Sequence, residues 1–452
     1  MAGQPKDITI VGGGIIGCCA AYFLTRHPAY SADTHRITLL EASSTSTGGR
    51  TADSIQDPGS LLAPESASKR NPAHEGIAGG ASGKAGGLLA LWAFPQNIVP
   101  LSFRLHDELA REHGGDAKWG YRRCYASQVD CSARLPPGFS GGQDENMTAA
   151  DNNGEQGAIK GLHKDHKKSA KALKKLGAPE DLDWLDTDAL GGYDNMGTPE
   201  NTAQVHPELF TRAMAQLAED SGVKIVTGAK ATAINKSSDG KSVASVTYEK
   251  DGKQETLPTT DCIVAAGPWT SKLLPRIPVV IKTPSTVSPY ALFTAINLPS
   301  GFPSPTPEGS AGGSAKRQAL KRMQIVEPEI YARPDGTAYA CGPTDQMAPL
   351  PATNAEVQVD EARCRDIIDQ VGSISDDLGK DGQVLAKQAC YLPQGGPFIG
   401  EVGGTKGLTV AAGHTCWGIQ NAPGTGKLLS EIVLEGVAKS AKLGGCDASR
   451  FT

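Results

Sequence analysis

Residues 7–41, DITIVGGGIIGCCAAYFLTRHPAYSADTHRITLLE, decide the fold. Residues 7–11 are a short apolar run with β-branched members and read as a strand. Residues 15–26 carry apolar side chains at helical spacing, and residues 36–41 (RITLLE) read as a second strand. Gly12-x-Gly14-x-x-Gly17 sits between the first strand and the helix. There the first glycine allows the turn, the second lets a pyrophosphate approach the backbone, and the third packs helix on strand. Gly12, Gly14, Ile15, Ile16 and Gly17 are therefore candidate cofactor contacts. Glu41 ends the second strand, where a carboxylate can accept hydrogen bonds from an adenosine ribose, with Ala42 next to it. Strand, motif, helix, strand and carboxylate together predict a dinucleotide-binding βαβ unit, and leave NAD and FAD both open.

Outward from that unit, 452 residues are too many for one ordinary core, so two packed domains or a domain with large insertions are expected. A formal charge of -5 gives no reason to expect a nucleic-acid partner, and no apolar run approaches a membrane span. The opening MAGQPKDITIV runs into a strand with no charged-then-apolar leader, so a cytoplasmic protein is expected and the sequons at Asn146 and Asn235 carry no weight. The ten cysteines form no CxxC pair, no metal site is expected, and Cys18 and Cys19 read as small core residues of the first helix.

Residues 42–79 are rich in Ser, Gly and Pro and read as an exposed insertion. A helix is expected over 98–113, carrying Ile98, Leu101, Leu105 and Leu109, and residues 131–160 read as loop. The basic stretch 160–177 reads as a solvated helix face. Pro207 at a helix N1 position, Gly222 and then VKIVTG predict helix followed by strand, with further strands over 231–234 and 243–249. Alternating runs between 277 and 342, interrupted by a loop over 298–315, suggest an antiparallel sheet. A strand over 408–413 and a helix over 425–435 close the pattern.

Four stretches carry a resemblance: the N-terminal unit, GGASGKAGGLL (79–89), DCIVAAGPWT (261–270), and PFIGEV with LTVAAGHTCWGIQNAPGTGKLLSEIVLEG (397–436). Together they resemble the D-amino acid oxidase superfamily of flavoproteins, which includes glycine and sarcosine oxidases, with fungal FAD oxidoreductases the most similar members. The resemblance implies an α/β fold: a Rossmann-like FAD-binding domain (1–97, 200–276, 386–440) with an inserted, mainly antiparallel-sheet substrate domain (98–199, 277–385). It implies that Ser82, Lys84, Ala85, Gly86, Gly87 and Leu88 run beside the pyrophosphate and flavin ring, and that Ala231 lies near the adenine. It also puts Ala266, Gly267 and Trp269 close to the cofactor, and His414, Trp417, Gly418 and Ile419 at the N1–O2 edge of the ring. The implied chemistry is hydride transfer from a carbon bearing nitrogen to flavin N5, with O2 as acceptor giving H2O2 and a small amine or amino-acid-like molecule as substrate. Lys84 is the first candidate for a positive charge favouring the oxygen reaction, and His414 the second.

The sequence departs from the amino-acid oxidases where they hold the substrate carboxylate with an arginine, since KQACYLPQGGPFIG has none. Arg333 in YARPDG is the candidate to replace it. Cys390 lies near the position at which sarcosine oxidases attach FAD, but non-covalent FAD is the expectation. PGTGKL (423–428) lacks the first glycine and the Ser/Thr of a phosphate loop. Glu41 followed by Gly48-Gly49-Arg50 has one residue too many for the monoamine oxidase pattern. A flavin dehydrogenase, a tailoring oxidase with another acceptor, and an FAD-binding scaffold with a trafficking role are the alternatives.

Overall fold

The computed structural model describes residues 5–45, 74–133, 166–282, 294–298, 324–326, 328–342, 348–379 and 382–451. Asn146, Gly48-Gly49-Arg50, most of the 42–79 insertion and of the 131–160 loop, and the 298–315 loop after Leu298 lie outside the described residues.

β1 (Lys6–Val11), α1 (Ile15–Thr25) and β2 (His35–Leu40) form within a residue of the sequence reading at each end. α2 (Val99–His113) carries Pro100 in its first turn and ends at Gly114 in the left-handed region, φ 69°. α3 (Pro207–Asp220) begins on the expected proline, with His206 as N-cap accepting from Leu209 N through Nδ1. The other elements used below are β3 (Lys224–Val226), β4 (Asp261–Val264), β5 (Glu329–Ala332), β6 (Ala338–Cys341), β7 (Phe398–Glu401), β8 (Leu408–Ala412) and α4 (Gly418–Glu435).

Six strands make one sheet in the order β7-β8-β4-β1-β2-β3, parallel throughout except for the β7–β8 pair. After β1 the chain adds β2 and β3 on one side, then β4 and β8 on the other. The direction of winding reverses beside β1, and an open α/β sheet takes its ligand at the carboxyl ends of the strands at such a point. Both faces are covered, so the strands are apolar without polar alternation. Ile8, Ile10, Leu39 and Ile263 join the helix-side core, while Val11, Leu40, Val264 and Val410 join the opposite one. Cys18 and Cys19 are fully buried in α1, and a Cβ on Gly426 of α4 would come within 2.7 Å of the Cys19 backbone. Small residues are what allow these two helices to touch.

Three expectations need correction. The strands between 277 and 342 do not form one sheet. Val280–Lys282 pairs with Leu392–Gln394, Thr294–Leu298 joins a four-stranded sheet in parallel with Ala126–Ser132, and β5–β6 is a separate hairpin. Lys253–Pro258 is a strand that polar KQETLP did not suggest. It pairs antiparallel with Val243–Lys250 across Asp251-Gly252, whose φ values of 52° and 71° are those of a tight hairpin turn.

The third concerns α4, which starts at Gly418, seven residues before the expected start at Thr425, with Pro423 inside it. Proline has no N–H for the Ile419 carbonyl. His106 Nε2 of α2 approaches that oxygen at 3.0 Å, and Gly424 N donates to Ser102 Oγ of α2 at 2.9 Å. α2 thus supplies the polar partners that the proline disturbs. The basic stretch contains the helix His166–Leu176, in which Leu173 is buried and Lys171, Lys174 and Lys175 are exposed. Among the described residues no helix is long and apolar enough to cross a membrane.

Candidate functional site

Gly12 follows β1 at φ 117°, and a Cβ there would meet Ala265 O, just past β4, at 2.4 Å. Glycine at this position lets the two strand ends close on each other. Gly14 is the N-cap of α1 and gives no side-chain cap, and the first turn holds no acidic residue. Its first N–H, that of Ile15, reaches Ser82 Oγ at 2.9 Å. The positive end of the helix dipole is therefore open to an anion. The Glu41 carboxylate, just past β2, accepts from Gly13 N at 2.7 Å and Ser43 N at 2.9 Å. Burial raises its pKa, and these backbone N–H groups hold it partly back.

These groups open into a cavity of about 450 Å³ that runs from Val11 to Ile419. Gly12, Gly14, Ile15, Ile16, Glu41, Ala42, Ala231, Ala266, Gly267 and Trp269 line it. So do Ser82, Lys84, Ala85, Gly86, Gly87, Leu88, His414, Trp417, Gly418 and Ile419. Of the expected cofactor contacts only Gly17 lies outside the lining. A Cβ on Gly17 would fall 2.0 Å from Gly12 O, so this glycine closes the helix onto the turn. Gly86 is equally constrained, because a Cβ would enter the Tyr331 ring at 2.4 Å. At the far end α4 begins at Gly418 with no side-chain cap from Trp417. A second helix N-terminus thus meets the same cavity.

Two charge expectations change. His414 is buried with Nε2 3.1 Å from Thr425 Oγ1, and burial pushes its pKa down to about 3. Burial thus favours its neutral form near pH 7 and works against a positive charge there. Lys84 is buried, its Nζ donates to Gly79 O, and its charge is felt at Cys390. Arg333 does not line the cavity. Its guanidinium sits 5.5 Å over the Tyr339 ring, with Nη2 at 3.4 Å from Ala85 O, so it does not replace the missing substrate arginine. Cys390 does line the cavity, and burial raises its thiol pKa.

Sequence reasoning missed Glu329, Tyr331, Tyr339, Cys341 and Cys416, all in the lining. The first four had a legible signal. They occupy alternate positions of the run read as strands, hence one face. The residues present fit FAD: two helix N-termini whose N-cap residues give no side-chain cap, a half-buried carboxylate at the end of the second strand, and glycine positions that admit no Cβ surround one cavity.

The FAD dependent oxidoreductase (DAO) family matches residues 73–432, and the NAD(P)-binding Rossmann-like domain matches residues 10–67. The chain is 32% identical to the Saccharomyces cerevisiae protein named "Putative oxidoreductase TDA3", over 99% of this chain and 95% of that one. Glycine oxidase from Geobacillus kaustophilus superposes with a TM-score of 0.55 at 17% identity, covering 100% of both chains. L-amino acid deaminase from Proteus vulgaris gives 0.57 at 16% identity, covering 99% of this chain and 98% of the other. At those identities the two structures show a shared fold.

Proposed function

From the premise that the chain belongs to the DAO family of FAD-dependent oxidoreductases, we propose that it oxidises the C–N bond of a small amine or amino-acid-like substrate, with O2 as acceptor and H2O2 as product. The observation that carries this reading is the convergence of the α1 and α4 N-termini and the Glu41 carboxylate on one cavity. Glycine and L-amino acids, named for the two similar structures, support the choice of a nitrogen-bearing substrate.

In this reading Glu41 and Ala42 hold the adenosine ribose, Ala231 lies by the adenine, and Ser82 with the α1 N-terminus holds the pyrophosphate. Residues 84–88 and 266–269 flank the cofactor along its length. α4 offers backbone N–H groups and its dipole to the flavin N1–O2 edge through Gly418 and Ile419. FAD, held non-covalently, supplies a two-electron acceptor at N5. The chain's own part is to position substrate and exclude water. Trp417, held edge-on by Trp92 at 5.5 Å, walls the ring end. Lys84 is the cation that favours the oxygen reaction. Residues 1–97, 200–276 and 386–440 form the cofactor domain, and 98–199 with 277–385 face the substrate. Ten free thiols support a reducing, cytoplasmic setting.

The test is anaerobic mixing of the purified yellow protein with a panel of amines and amino acids, followed by air. At least one compound should bleach the flavin, and O2 should restore it with one H2O2 per turnover. A flavin that no compound bleaches defeats the reading. One that recolours only with an artificial acceptor makes the protein a dehydrogenase.

A further inference from the structure

One face of a hairpin forms the wall of the cavity that the cofactor assignment leaves unused. In the β5–β6 ladder Glu329 lies opposite Cys341 and Tyr331 opposite Tyr339. Side chains alternate across a strand, so these four share a face, and all four line the cavity. Between them Ile330 faces the other way and packs on the cluster around Leu173.

The Tyr331 hydroxyl donates to the Glu329 carboxylate, and the Tyr331 ring is fixed against Gly86. Tyr339 is held by its own hydroxyl, which donates to Lys84 O at 2.8 Å. The two rings lie 5.7 Å apart at 65°, with Trp417 lining the same cavity. The thiol of Cys416, next to Trp417, is pushed up to about 11, first by desolvation and second by the Glu329 carboxylate.

A carboxylate among aromatic faces attracts a cation by its formal charge and by the ring quadrupoles. The same wall repels an anion. Among the described residues no arginine lines the cavity. Of the lining lysines, Lys84 donates to Gly79 O and Lys272 to Pro351 O, and Lys230 lies beside Ala231 at the opposite end. Burial works against the charge of Glu329, and an arriving ammonium ion would relieve it.

We propose that Glu329, with Tyr331, Tyr339 and Trp417 around it, is the ammonium-binding wall of the substrate site, and that the substrate is an amine, cationic in water, with no carboxylate on the carbon to be oxidised. The inference rests on the amine-oxidising reading above and narrows its substrate class. The ammonium proton passes to a Glu329 carboxylate oxygen. Bound FAD would then take a hydride, with its two electrons, from the neutral amine, and the product would be an iminium ion for hydrolysis.

The test compares two probes of similar size on the purified holoprotein: benzyltrimethylammonium, a fixed cation, and benzoate. Binding is read by calorimetry and by perturbation of the flavin absorbance. The cation should bind about tenfold or more tightly than benzoate. Glu329→Gln should abolish that preference at unchanged FAD content and melting temperature, and Glu329→Asp should retain its sign. Tighter binding of benzoate, or a full cation preference in folded Glu329→Gln, overturns the proposal. The wild-type comparison decides alone if the Gln variant does not fold. Cation binding without bleaching by any amine would leave the ammonium site standing and defeat the oxidase reading. Bleaching by amino acids together with a benzoate preference would do the reverse.

Discussion

Histidines with lowered pKa values make stability depend on pH, and in three buried ones the shift is large. Burial pushes His414 and His206 down to about 3 and His106 to about 4, from 6.5 in an exposed setting. As pH falls through 6.5 the unfolded chain takes up protons at these positions while the folded chain does not. Their contribution is therefore complete above pH 6.5 and is lost progressively as pH falls toward the folded values. The melting temperature should drop between pH 7 and pH 5, with net proton uptake on unfolding measured by calorimetry in two buffers of different ionisation enthalpy. His414→Asn cannot titrate and should flatten that slope. Glu41 and Glu329 have raised pKa values and act in the opposite sense, so the difference between variant and wild type is the quantity to read. Equal slopes would refute the assignment of a buried neutral imidazole. The resemblance of the GHTCWGI stretch made His414 legible as a candidate site residue, but its charge was not legible. Protonation follows from burial, and burial is fixed only by the assembled fold.

α4 shows what a local reading of an element misses. Pro423 and three nearby glycines argue for a loop before residue 425, yet the helix runs through them from Gly418. The compensation comes from α2, more than 300 residues earlier in the chain, through His106 and Ser102. No window of sequence contains both partners. The opposite failure occurs at Asp251-Gly252, a hairpin signal present in the sequence but passed over because the following strand is exposed and polar. The His106 contact makes a quantitative prediction. His106→Leu leaves the Ile419 carbonyl buried without its donor and should cost about 1–3 kcal/mol. Pro423→Ala restores an N–H four residues after Ile419, so it should stabilise the His106→Leu protein more than the wild type. A double-mutant cycle by urea unfolding measures this. Strict additivity would mean that the His106 contact does not compensate for the proline.

At the scale of the whole molecule, residues 7–41 were enough to place β1, α1, β2 and Glu41, because a βαβ unit is specified by local pattern. The fit to one dinucleotide required segments near 84, 231, 266 and 414, which the sheet order brings together at its point of reversal. A ligand lined by residues from Val11 to Ile419 can bind only the folded chain. Binding therefore adds to stability by mass action, about 2.7 kcal/mol when free ligand reaches a hundred times its Kd. Stripping the FAD should lower the melting temperature, and adding it back should raise that temperature in proportion to the logarithm of free FAD. NAD should not substitute, because the walls at His414–Ile419 are read as holding a flavin ring. A covalent flavin would behave differently: acid precipitation would leave the yellow colour in the pellet, and added FAD would not move the transition. Desolvation raises the pKa of the half-buried Cys390 thiol and so favours the thiol over the reactive thiolate, so the colour should pass wholly to the supernatant, in wild type and in Cys390→Ser alike. Colour retained in the wild-type pellet and lost from the Ser pellet would establish the thioether and overturn the non-covalent reading.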